Sequence, residues 1–64
     1  MFKEYRRKRG YTQEAIAETL GISTRHWQRI EQGENRPSLE LFKMIVKILK
    51  IDDKDIVKYI KANN

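Results

Sequence analysis

Thr24, Arg25, Gln28 and Arg29 stand at intervals of one, three and four residues in the segment TRHWQRIEQG. On a helix those intervals bring all four to one face. A guanidinium offers two N–H groups that match O6 and N7 of guanine, a glutamine amide matches N6 and N7 of adenine, and threonine offers a hydroxyl and a methyl. Any one of them would equally well keep a helix soluble. Four hydrogen-bonding ends on one face suit the reading of base edges. Catalytic chemistry has no comparable set. The chain has no cysteine and a single histidine, His26, which has no cysteine, histidine or carboxylate at metal-ligand spacing. Asp52, Asp53 and Asp55 fall at a helix start and lack the twelve-residue calcium-loop pattern, so capping and the helix dipole account for them. No serine, cysteine or histidine arrangement for nucleophilic attack and no phosphate-cradling glycine loop is present. No catalytic residue, metal site, cofactor or small-molecule ligand is expected, and the chain does not read as an enzyme.

The elements that must position this face follow from spacing and punctuation. Glycine and proline are scarce and the apolar residues recur every three or four positions, which predicts an all-α chain. A short first helix spans Phe2 to Arg9, with Gly10 as its stop. Thr12 caps a second helix running to Leu20, with Ile16, Ala17 and Leu20 on its inner face. Gly21 supplies the left-handed turn, Ile22 plugs the junction and Ser23 caps a third helix. That helix runs over residues 23–32, turns Trp27 and Ile30 inward and ends at Gly33. Pro37 keeps the next segment a loop. Ser38 caps a fourth helix whose Leu39, Leu41, Phe42, Ile45, Val46, Ile48 and Leu49 predict a central position. Asp52 or Asp53 opens a fifth helix to Ala62, and Asn63–Asn64 should fray. The expected fold is a compact bundle of four or five helices, one domain over residues 1–64, with a helix-turn-helix at residues 12–33.

At 64 residues the chain buries about 60% of its unfolded surface, too little for a deep catalytic cavity. Fourteen Lys and Arg against nine Asp and Glu leave a net charge of +5 and an isoelectric point near 9.8. That balance favours a polyanionic partner. The absence of cysteine suits a reducing compartment, and no apolar run approaches the ~20 residues of a membrane span. The charged N-terminus lacks the apolar stretch of a secretory signal. A cytoplasmic, nucleoid-associated location is expected.

The residues Gln13-Glu14, Ala17, Leu20-Gly21-Ile22-Ser23, Trp27, Ile30-Glu31, Gly33 and Pro37-Ser38-Leu39 match in register a pattern that resembles the phage repressor and Cro type helix-turn-helix family, also called Xre. The resemblance covers about Phe2 to Ile51. It implies a lambda-repressor-like DNA-binding domain and a sequence-specific, repressor-like regulator of transcription. The third helix would enter the major groove of duplex DNA, with Thr24, Arg25, Gln28 and Arg29 reading bases. Gln13, at a helix N-terminus, would grip phosphate together with Ser23, Asn35 and Arg36. Arg6 and Glu31 would form a structural ion pair. Family members commonly bind palindromic operators as homodimers with recognition helices about 34 Å apart; Ile48, Ile51, Ile56, Tyr59 and Ile60 are the expected dimer patch. Trp27 departs from the family's smaller apolar residue and is read as core. The alternative is a helix-turn-helix fold serving as a protein-interaction module, such as an antitoxin, antagonist or adaptor. The polar face at residues 24–29 speaks against that alternative, because a protein-docking helix more often carries an apolar anchor there.

Overall fold

The computed structural model describes residues 1–62, which form five helices and no strand: α1 (Phe2–Lys8), α2 (Gln13–Leu20), α3 (Thr24–Glu31), α4 (Leu39–Leu49) and α5 (Asp53–Ala62). The all-α bundle expected from the sequence is the fold observed. The end expected to fray, Asn63–Asn64, lies outside the described residues. Side-chain caps set three of the helix starts. Thr12 Oγ1 accepts from the Ala15 N–H at 3.0 Å, Ser23 Oγ from His26 at 3.0 Å and Ser38 Oγ from Leu41 at 3.2 Å. Each satisfies a donor that the first helical turn leaves without an intrahelical partner.

One core unites all the elements. Phe2, Ile16, Ala17, Leu20, Trp27, Ile30, Phe42, Ile45, Leu49 and Ile51 are buried, and Trp27, Ile16, Ile45 and Leu49 are sealed completely. Phe2 reaches from α1 into an aromatic cluster, 6.1 Å from the Trp27 ring centre and 5.2 Å from that of Tyr59. Phe42 stacks on Tyr59 at 5.2 Å, a ring separation that favours offset packing.

Two expectations are corrected, one at each end of α4. Ile51, assigned to a dimer patch, is a core residue at 5% exposure, because the chain turns inward between α4 and α5. Ile48, Ile56 and Tyr59 are half-buried against the same core. Leu39, counted with the central face of α4, is instead 68% exposed at the helix's first position. The exposed large apolar residues are Leu39, Met44, Val57 and Ile60.

The end of α4 uses a device that composition does not reveal. Lys50 adopts φ 52°, the left-handed conformation usually left to glycine. The Ile51 N–H then reaches back to the Val46 carbonyl at 3.1 Å. Arg9 completes this terminus, donating from Nε to the Leu49 carbonyl at 2.8 Å and from Nη2 to that of Lys50 at 3.1 Å. A cation is thereby fixed at the negative end of the helix dipole, and the tail of α1 is tied to α4. Tyr5 makes the matching tie to α5, its hydroxyl donating to the Asp55 carboxylate and accepting from the Asp52 N–H.

Candidate nucleic-acid interface

The junction of α2 and α3 is set by Gly21, whose φ of 74° a side chain would strain. Its N–H returns to the Glu18 carbonyl at 3.1 Å and that of Ile22 to Ala17 at 3.0 Å, closing the α2 end. Ala17, 1% exposed, has only a methyl at the crossing, so α3 lies close against α2. With Trp27 and Ile30 sealed inside, the opposite side of α3 is left to Thr24, Arg25, Gln28 and Arg29. Arg25 and Arg29 are exposed; Thr24 and Gln28 are half-buried, Gln28 where its amide meets Gln13 of α2.

Behind this face lies a polar node centred on Glu31. Arg6 donates from Nε to Oε2 at 2.8 Å and from Nη2 to Oε1 at 3.1 Å, a two-pronged pairing, and from Nη1 to the Tyr11 carbonyl at 2.9 Å. Trp27 Nε1 donates to Oε2 at 2.7 Å and Gln13 Nε2 to Oε1 at 3.2 Å. Each carboxylate oxygen thus accepts two hydrogen bonds, which fills its acceptor capacity. The Arg6 and Glu31 side chains are only 9% and 5% exposed. Burial alone would raise the Glu31 pKa, but the bonds from Arg6, Gln13 and Trp27 outweigh it and hold the pKa below the ordinary value. The bond to Glu31 pushes the Arg6 guanidinium up in turn. The expected ion pair is present, and it joins α1 to the end of α3. It also explains Trp27: this larger core residue brings an N–H that must be satisfied, and Glu31, one turn on, accepts it.

Gln13 is drawn into the node at both ends. Its Nε2 donates to Glu31, and its Oε1 accepts from Gln28 Nε2 at 3.1 Å. Beside it, Lys3, Arg7, Thr12 and Gln32 rim a polar cavity of about 540 Å³ over the Arg6–Glu31 pair. Ser23 is exposed at the α3 cap. Asn35 and Arg36 lie exposed in the loop after α3, where the Glu34 and Asn35 N–H groups both turn to the Arg29 carbonyl, at 2.9 and 3.3 Å. Within the basic run Arg6-Arg7-Lys8-Arg9, Arg6 is buried in its ion pair with Glu31 and Arg9, though exposed, is bonded to the end of α4, while Arg7 and Lys8 are exposed.

Sequence reasoning missed three features here. The Trp27–Glu31 bond carried a signal, since the two residues are four apart on one helix. The Gln13–Gln28 bond joins residues 15 apart on different helices, and no local pattern announces it. Lys3 joins the cavity rim only because the fold brings α1 beside Thr12 and Gln13 at the start of α2.

Electrostatically the surface is basic, with a net charge of +5 for the whole chain. No helix of the described residues is long and apolar enough to cross a membrane. A helix-turn-helix family model matches residues 2–56, α1 through the start of α5. Searches of curated proteins and of solved structures return no match. Since the match spans most of the chain, the protein belongs to the helix-turn-helix family of the phage repressor and Cro (Xre) type, a family of DNA-binding regulators.

Proposed function

We propose that this protein is a sequence-specific, repressor-like regulator that places α3 in the major groove of duplex DNA. The observation that carries the reading is the division of α3, with Trp27 and Ile30 sealed inside and Thr24, Arg25, Gln28 and Arg29 left on the other side. Thr24, Arg25, Gln28 and Arg29 read bases. Gln13, Ser23, Asn35 and Arg36 contact phosphate, and Lys3 and Arg7 add charge beside Gln13. The partner is a palindromic operator bound by a homodimer. Exposed Leu39, Val57 and Ile60 supply apolar surface for a two-fold contact. The chain acts without catalysis, in the cytoplasm with the nucleoid.

Selection of bound sequences from a random duplex pool, followed by gel shifts on the selected site over a range of salt, tests this reading. A palindromic consensus is expected, with affinity falling steeply as salt rises. Equal binding to all duplexes would refute sequence reading. Arg25→Ala should cost about 1–3 kcal/mol on the selected site and relax base choice there. An equal loss on random DNA would instead assign Arg25 to the backbone.

A second reading is favoured by one feature, an apolar groove of about 650 Å³ between α4 and α5, lined by Pro37, Leu39, Phe42, Val46, Tyr59 and Ile60 among others. In that reading the fold is a protein-interaction module. It gains ground if the pool yields no consensus.

A further inference from the structure

We infer that Glu31, acting through Gln13, fixes the direction in which the Gln28 amide meets a base, so that Gln28 accepts adenine and rejects guanine at one base pair. The inference rests on the DNA-reading function proposed above. It starts from a group with no choice of role. An ionised carboxylate only accepts hydrogen bonds, and Arg6 keeps Glu31 ionised at 2.8 Å. Gln13 must therefore turn its NH2 toward Glu31, at 3.2 Å, and its carbonyl toward Gln28. A carbonyl oxygen also only accepts. Gln28 must then turn its own NH2 toward Gln13, at 3.1 Å. A half-turn of either amide would set oxygen against oxygen or nitrogen against nitrogen, so the direction imposed by one buried carboxylate passes along two side chains.

What remains on Gln28 is its carbonyl oxygen and one N–H. The major-groove edge of adenine presents a donor, N6–H2, beside an acceptor, N7, and satisfies both remaining groups at once. Guanine presents two acceptors, O6 and N7. The Gln28 carbonyl would face O6, losing one bond and adding repulsion between two oxygens. A glutamine without the restraint could turn its whole NH2 outward and accommodate guanine. Gln13 is thus a positioning residue for a base reader as well as a phosphate ligand, and Glu31 is the source of the polarity.

The test compares the full-length wild type with Gln28→Ala and Gln13→Met, the latter keeping length and stem while removing both polar ends. A consensus duplex is selected with the wild type, and all four base pairs are then compared at each position by competition. Gln28→Ala should erase preference at one position where the wild type takes adenine over guanine. Gln13→Met should lower the adenine-to-guanine ratio at that position about tenfold, with the ratios elsewhere held within about twofold. A uniform loss at all positions would reduce Gln13 to a phosphate contact and overturn the inference, while leaving the DNA-reading function intact. So would a guanine preference at the Gln28 position, or no change of preference in Gln28→Ala. Failure of the wild type to select any consensus would overturn the inference and the proposed function together. Thermal unfolding of both variants checks that the fold is retained.

Discussion

Glu31 concentrates more consequences than any other single side chain, because its two oxygens serve a guanidinium, an indole and an amide together. Its pKa lies below the ordinary 4.5 in the folded protein. The stability it contributes is therefore fully present above that value and is lost as pH falls through the folded pKa. Glu31→Gln should be less stable than wild type at neutral pH, and the gap should narrow from about pH 4.5 downward; urea titrations at a series of pH values measure it. A gap that stayed constant with pH would show that the charge is not what stabilises. Lys50 makes the opposite kind of prediction. A non-glycine residue at φ 52° carries strain of about 1–2 kcal/mol, and glycine relieves it at some entropic cost. Lys50→Gly should raise stability by about 0.5–1 kcal/mol, seen as a higher urea midpoint with an unchanged slope.

Among the elements, α2 and α3 were readable from the chain because their signals are local. Thr12 and Ser23 as caps, Gly21 as the turn, and Ala17, Trp27 and Ile30 as inward positions all depend on neighbours within one or two turns. The limits of local signals show at α4 and α5. Leu39 fits the apolar period of α4 yet stands exposed at the helix's first position, and Ile51 lies in a linker yet is buried, because the chain reverses at Lys50. The left-handed Lys50 lacks the glycine that would have marked it. The interface behaved likewise: the exposed face of α3 follows from spacing, whereas the Gln13–Gln28 bond exists only once the helices have crossed. The close crossing itself yields a prediction. Ala17→Leu forces a large side chain between α2 and α3 and should cost about 1–3 kcal/mol in chemical denaturation. A neutral result would mean the junction tolerates wider spacing.

At the scale of the whole molecule the five helices are not held equally. Helix α5 has no fully buried residue among those described and is fastened by the Tyr5–Asp55 bond and by Tyr59 in the aromatic cluster. Elements with little buried surface open at low free-energy cost while the rest of the fold persists. Amide hydrogen exchange should therefore be fastest in α5 and slowest in α3 and α4, around Trp27, Ile45 and Leu49. Uniform protection would show that the chain opens only as one cooperative unit. Tyr59 spans both states: while α5 is docked, it stacks on Phe42 and forms one wall of the apolar groove. Each transient opening would uncover Phe42 and Phe2 and erase the groove in the same movement. A molecule bound in that groove would then slow amide exchange along α5, giving the last helix a rhythm set by occupancy.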